Sequence, residues 1–305
     1  MTLPEILTKA ASFVAIIAFG YVLRQSGFFK EKDFYFLTKI VLKITLPAAI
    51  VYNFSSMEID VSMLAICLFG LGGGLLYIAV AWLVNARKSA KRKAFDVVNL
   101  PGYNIGNFTM PFIQGFLGPT GFAATSLFDT GNAFVCLGGS YSLAGFLLGE
   151  GEKRSVKDLI KPLIRSVPFD AYIIMTILTL AHIRLPQIAG SFAETIAGAN
   201  AFMALLMVGV GFQLKVNREN LAAIFRILGL RYAMAIIFSV LWYRFAPFSL
   251  EVRQALAILA FAPIATAAPA FTGNLNLDTG LSSVINSISV ILSVVLITIT
   301  LALIL

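Results

Sequence analysis

The chain has 305 residues, of which 59% are hydrophobic and only 12% charged, with a mean hydropathy of +0.89. Soluble domains carry about 25% charge, so a bilayer must be the solvent for most of this chain. At about 20 apolar residues per spanning helix, there is room for about ten spans. The net charge of +8 does not point to nucleic acid. The basic residues lie in clumps between apolar runs, as in Lys88, Lys91, Arg92 and Lys93, or Lys153, Arg154, Lys157 and Lys161, which is the pattern that membrane insertion imposes.

In chain order the predicted spans are 5–24, 34–54, 61–84, 95–117, 120–147, 167–183, 188–213, 220–243, 251–272 and 279–304. The first has Glu5 and Lys9 at its start and no small-residue cleavage site at its end, so it reads as an uncleaved helix. The two cysteines, Cys67 and Cys136, fall inside apolar runs and act as small hydrophobes. Between the fifth and sixth spans, Gly149 to Ser166 is charged and reads as an amphipathic connector.

The loops after spans one, three, five and seven hold Arg24, Lys30, Lys32, Arg87 and the clumps above, together with Arg165, Lys215 and Arg218. The opposite set holds only Lys9, Arg184, Arg244 and Arg253. That imbalance predicts a multi-pass protein of the cell (inner) membrane with an even span count and both termini outside.

Three residue pairs recur at an offset of about 158–160 residues: Trp82 and Trp242, Gly70 and Gly229, Pro111 and Pro269. Five helices per unit turn the second copy upside down. The expected fold is therefore all-α, with ten transmembrane helices arranged as two inverted five-helix repeats over residues 1–150 and 151–305. Such repeats belong to transporters whose site lies where the copies meet.

The fourth span carries Pro101, Gly102, Gly106 and Pro111, and the ninth carries Pro263 and Pro269. Proline and glycine at these depths predict two interrupted helices, tolerated in a membrane only where backbone is buried or lines a cavity. Half-helix N-termini suit a carboxylate, and Asn104, Asn107 and Thr109 would add polar side chains. The ninth span offers Thr266 alone among alanines. Two intramembrane charges also stand out, Lys43 in the second span and Asp129 in the fifth, the latter near Asn132. Such charges face a cavity or a partner, although Lys43 can also snorkel beside Lys39. Asp129, with Asn132, is a candidate for ion coupling, by carrying a proton or by holding a sodium ion.

Asp129-Thr-Gly and Asp278-Thr-Gly spell the aspartic-protease tripeptide, but both are tied to helices and lack the paired geometry of that chemistry. His182 is the only histidine and sits at a predicted membrane edge, so His-dependent triads and HExxH chemistry lack support, and no disulfide framework or metal site follows from the two cysteines.

The run Asn104-Ile-Gly-Asn-Phe-Thr-Met-Pro111 followed by Phe-Ile-Gln-Gly-Phe-Leu-Gly118 resembles the auxin efflux carrier family, which includes bacterial organic-acid carriers and plant PIN-type auxin exporters. Leu46-Pro47 is similar to the family's second helix, some plant members have a lysine where Lys43 stands, and Pro263 matches the proline of the ninth helix. The resemblance implies a fold shared with bile-acid symporters and sodium/proton antiporters. It also implies crossed broken helices in a moving domain, elevator-type alternating access and frequent homodimers. The expected function is secondary transport of a small organic anion, a carboxylate, dicarboxylate or auxin-like acid. Asn104, Asn107, Lys43, Pro111, Pro263 and Thr266 would form the site, and no cofactor beyond a coupling proton or sodium is implied. The alternative is a sodium-coupled symporter of the bile-acid type. A channel would need a continuous polar stripe, and an enzyme a convergent catalytic set; neither is visible. Membrane lipid and a second copy are the expected partners, and nucleic acid is not.

Overall fold

The computed structural model describes residues 2–55, 60–149, 156–213 and 217–305. Glu152, Lys153, Arg154 and Lys215, assigned above to loops, lie outside them. In chain order the principal helices are α1 (Leu3–Gln25), α2 (Lys32–Ser55), α3 (Val61–Val84), α4 (Ala90–Asn99), α5 (105–116), α6 (119–147), α7 (Val156–Leu163), α8 (Val167–Leu180), α9 (Gln187–Val210), α10 (Leu221–Phe245), α11 (Leu250–Leu259), α12 (Ala268–Asn274) and α13 (Thr279–Ile304). No strand occurs among the described residues. Six of these helices, α1, α2, α3, α9, α10 and α13, are long and apolar enough to cross a membrane. The chain is a multi-pass helical membrane protein.

The predicted fourth and ninth spans are each split in two, giving α4 with α5 and α11 with α12. The fourth also starts earlier than position 95. Ser89 accepts a hydrogen bond from the Arg92 backbone N–H, and this cap draws Lys91, Arg92 and Lys93 from the predicted loop into the first turn of α4. Helices α2, α5 and α6 each contain a wider π-helical turn, at Val41–Thr45, Ile105–Thr109 and Val135–Gly139. Such turns release local hydrogen bonds and often mark functional sites.

Apolar side chains such as Leu68, Leu83, Ile177, Phe225 and Leu303 are exposed on the outer helix faces, where lipid is the matching solvent. With no hydrophobic drive between helices in lipid, packing relies on close backbone approach through small residues. Helix α3 meets α6 through Gly70 and Gly131: a Cβ on the first would run into the Phe128 carbonyl, and on the second into the Cys67 carbonyl. Gly20 of α1 and Gly209 of α9 approach each other in the same way. Gly229, by contrast, faces open space. Trp242 stacks on Phe238 at 5.1 Å, whereas Trp82 is 38% exposed. The Gly70–Gly229 and Trp82–Trp242 pairs noted in sequence therefore occupy unlike surroundings.

A test of this packing follows. Gly131→Ala should destabilise the protein by at least about 1–3 kcal/mol, because its methyl meets rigid backbone. Gly229→Ala should instead stabilise slightly, by up to about 1 kcal/mol, since helix propensity alone changes. Thermal unfolding in detergent measures both, and equal effects would refute the close approach of α3 and α6.

Candidate functional site

The site is assembled from the two helix breaks. After α4 the chain leaves helical geometry at Pro101, whose ring lacks an N–H, and turns at Gly102, where φ is +80°. That value lies in the left-handed region glycine tolerates, and a Cβ there would also press on Cys136 Sγ. The second break runs from the end of α11 through Ala262-Pro263-Ile264 to α12. The two breaks cross at one hydrogen bond, in which the Asn104 backbone N–H donates to the Pro263 carbonyl at 2.9 Å.

Each break is fastened by an asparagine from a neighbouring helix. Asn132 of α6 accepts from the Tyr103 backbone N–H at 3.0 Å and donates to the Tyr103 carbonyl at 2.8 Å. Asn286 of α13 donates to the carbonyls of Ile264 and Ala265 at 2.9 and 3.2 Å, and Ser289 Oγ accepts from the Ile264 N–H at 3.1 Å. These bonds satisfy backbone groups freed by unwinding, which would otherwise be costly in a membrane. Beyond the crossing, Asn107 Nδ2 donates to Thr266 Oγ1 at 3.1 Å across 159 residues of chain. Asn104 and Pro263 share that separation. Pro111 and Pro269 each stand second in the helical segment after their break, Met110–Phe116 and α12.

Near the crossing, Asn104 Nδ2, Asn107 Oδ1 and the Tyr103 hydroxyl are buried and have no hydrogen-bond partner among the described residues. Buried polar groups are nearly always bonded, and the open amide groups of Asn104 and Asn107 belong to side chains that line cavities, which makes them candidates for ligand contact. Cavities flank them. One of about 300 Å³ lies toward α13 and is lined by Asn104, Thr266, Asn286, Ser283, Gln213 and Arg24. Another of about 170 Å³ lies toward α6 and is lined by Asn104, Asn107, Thr266, Asp129, Asn132 and Tyr172. Asn104 and Thr266 thus border both.

No family model matches the chain. It is similar to a protein of Methanothermobacter thermautotrophicus named an uncharacterized transporter, 23% identical over 264 residues that cover 80% of this chain and 82% of the relative.

The remaining residues singled out in sequence are not all brought together. Asp129 faces the smaller cavity and accepts from Asn132 Nδ2 at 2.9 Å and from the Tyr172 hydroxyl at 3.2 Å. The amide orientation of Asn132 is fixed by the Tyr103 backbone, so its donor end necessarily points at the carboxylate. Lys43 is exposed in the π-helical turn of α2 and lines neither cavity. Asp278 accepts from the Leu281 N–H and caps α13, a structural job unrelated to its tripeptide.

Sequence reading missed Asn286, Ser289 and Tyr172, whose bonds are given above, and the standing of three arginines. Arg24, counted above only as a loop charge, lines the larger cavity and donates to the Val210 carbonyl at 3.0 Å. Arg226 pairs with Asp96, its Nη2 lying 2.9 Å from Oδ1, and so joins α10 to α4. Arg231 is wholly buried behind the crossing. A run such as Phe225-Arg-Ile-Leu-Gly-Leu-Arg231 signals two intramembrane charges, and both required partners by the same reasoning applied to Lys43 and Asp129.

Proposed function

We propose that the chain is a secondary carrier of a small organic anion, with the carboxylate bound at the crossing of the two interrupted helices. The observation that carries this reading is the open donor on Asn104 and open acceptor on Asn107, set between cavities where two helix breaks meet. Broken helices meeting within a membrane are the usual seat of a transporter's substrate. The name of the Methanothermobacter relative agrees with a carrier. Arg24 supplies positive charge to the larger cavity, whose volume of about 300 Å³ suits a small acid such as a dicarboxylate or auxin-like compound. Asn104 and Thr266 would bind its carboxylate, Asn107 Oδ1 would accept from a donor elsewhere on the acid such as a hydroxyl, an N–H or a protonated second carboxyl, and Pro111 and Pro263 would hold the backbone open. Lys43 would contribute only if α2 turned during the cycle.

The same reading makes the chain two inverted five-helix repeats, 1–150 and 151–305, with each interrupted pair counted as one of ten spans. It is supported by the equal 159-residue separation of the two contacting pairs at the crossing, by the matched positions of Pro111 and Pro269, and by the asparagine that fastens each break. Elevator-type movement, a homodimer in the cell membrane and membership of the auxin efflux carrier family belong to this proposal. Asp129 borders the smaller cavity together with Asn104 and Asn107, within reach of an anion at the crossing, and a proton taken up there is the coupling species of this reading.

Counterflow in proteoliposomes tests the function. Vesicles loaded with an unlabelled small carboxylate should take up the labelled acid transiently above its external level. A channel gives no such overshoot, and its absence across a panel of carboxylates would refute a carrier for this class. Topology is tested by Glu152→Cys and Gln187→Cys in a background lacking Cys67 and Cys136. An impermeant thiol reagent on intact cells should reach position 187 and miss 152; the reverse would overturn both the outside termini and the inverted repeat.

A further inference from the structure

Arg231 of α10 is 0% exposed, and no carboxylate pairs with it among the described residues. Its partners are backbone. Nη1 donates to the Leu100 carbonyl at 2.6 Å, and Nη2 to the carbonyls of Ala262 and Pro263 at 2.8 and 3.2 Å. Leu100 caps the C-terminus of α4, and Ala262 and Pro263 follow the end of α11. The guanidinium therefore faces the C-terminal ends of both first half-helices at once, where the helix dipoles leave partial negative charge. The rings of Tyr77 and Tyr103 lie 5.0 and 5.3 Å from its centre and add face-on attraction for a cation.

Unwound carbonyls and half-helix C-termini are what transporters use to coordinate an alkali cation. Here those oxygens are taken. We propose that Arg231 is a built-in cation, occupying the carbonyl cage at the crossing so that the site is assembled without a bound sodium ion there. A planar five-donor fork fits several carbonyls of fixed direction, and its permanent charge replaces one that would otherwise have to be captured from solution. The tether also joins the two breaks to α10. Although this builds on the carrier reading, no substrate enters the test, so a wrong substrate class leaves its outcome unchanged.

The experiment is thermal unfolding of the full chain in detergent, with sodium, potassium or choline chloride at matched ionic strength and with low millimolar guanidinium chloride as the rescue probe. The wild type should melt at the same temperature in all three salts and bind no labelled sodium saturably. Arg231→Ala should melt roughly 10 °C lower, as expected for loss of a buried charge's bonds in a chain of this size. It should regain at least half of that shift with guanidinium or sodium, because the vacated carbonyls again accept a cation. If Arg231→Ala does not survive extraction, the same readout is its yield of monodisperse protein when extracted with and without guanidinium. Arg231→Lys, a point charge that reaches fewer carbonyls, should fall between the two. Sodium-specific stabilisation of the wild type would overturn the assignment. So would an Arg231→Ala protein that no cation rescues, or one as stable as wild type.

Discussion

Asn104→Ala is expected to lose at least roughly tenfold, and up to about a hundredfold, in affinity for a small carboxylate while still running as a monodisperse peak. A hydrogen bond to a charged group is worth about 1.5–3 kcal/mol, and each 1.4 kcal/mol is about a factor of ten. The loss should appear in binding because Asn104 Nδ2 has no partner among the described residues, so truncating it breaks no internal bond seen there. The fold should survive for the same reason. What fastens the crossing is the Asn104 backbone, which donates to Pro263 and accepts from Thr109, and alanine keeps both groups. Thr195→Ala, on an exposed position of α9, is the control and should be silent. Isothermal titration or labelled-substrate binding decides between the outcomes. If Asn104→Ala binds like wild type, the open amide does not meet the ligand and the crossing is a structural joint.

Both helix breaks are legible in the sequence, because their causes are local. Proline removes a donor and glycine admits φ near +80°, so Pro101-Gly102 and Pro263 announce themselves by residue type alone. The polar residues are harder to interpret, because a side chain's job depends on what stands opposite it. Asn132 reads as a companion of Asp129 three residues away, and it is one. Its main work, however, is bonding Tyr103, 29 residues earlier in the chain. Lys43 satisfies every sequence criterion for an intramembrane site charge, yet the rotation of α2 leaves it exposed. Arg231 shows the limit most plainly. Its partners are carbonyls at 100, 262 and 263, and a carbonyl has no letter in the sequence, so nothing marks them as a cation's ligands. The spacing of recurrent residues is a mixed guide. Prolines 111 and 269 report backbone geometry and keep equivalent positions, whereas the glycine and tryptophan pairs report packing and do not.

Asp129→Asn is expected to abolish the dependence of substrate binding on pH while leaving exchange intact. The carboxylate lies in the smaller cavity beside Asn104 and Asn107, so its charge acts directly on an anion bound at the crossing. While it is ionised, the anion is repelled; once it is protonated, that repulsion disappears. In the wild type, affinity should therefore rise as pH falls through the titration of Asp129, with one proton taken up per anion bound. Asparagine has nearly the same shape and never ionises, so it fixes the protonated-like state. It also keeps the local bonds. Its oxygen accepts from Asn132 Nδ2, and its amide donates to Tyr172, whose hydroxyl rotates to accept. The variant should bind at all pH values as tightly as wild type does at acid pH. It should perform counterflow, which needs no proton gradient, and fail to accumulate substrate when a proton gradient is imposed. Binding measured across the pH range, together with counterflow and gradient-driven uptake in proteoliposomes, reads all three. A variant that keeps the wild-type pH response would move the coupling role away from Asp129. If uptake instead followed a sodium gradient that Asp129→Asn abolished, the carboxylate would be a sodium ligand, and the donors now pointing at it would have to turn away during the cycle.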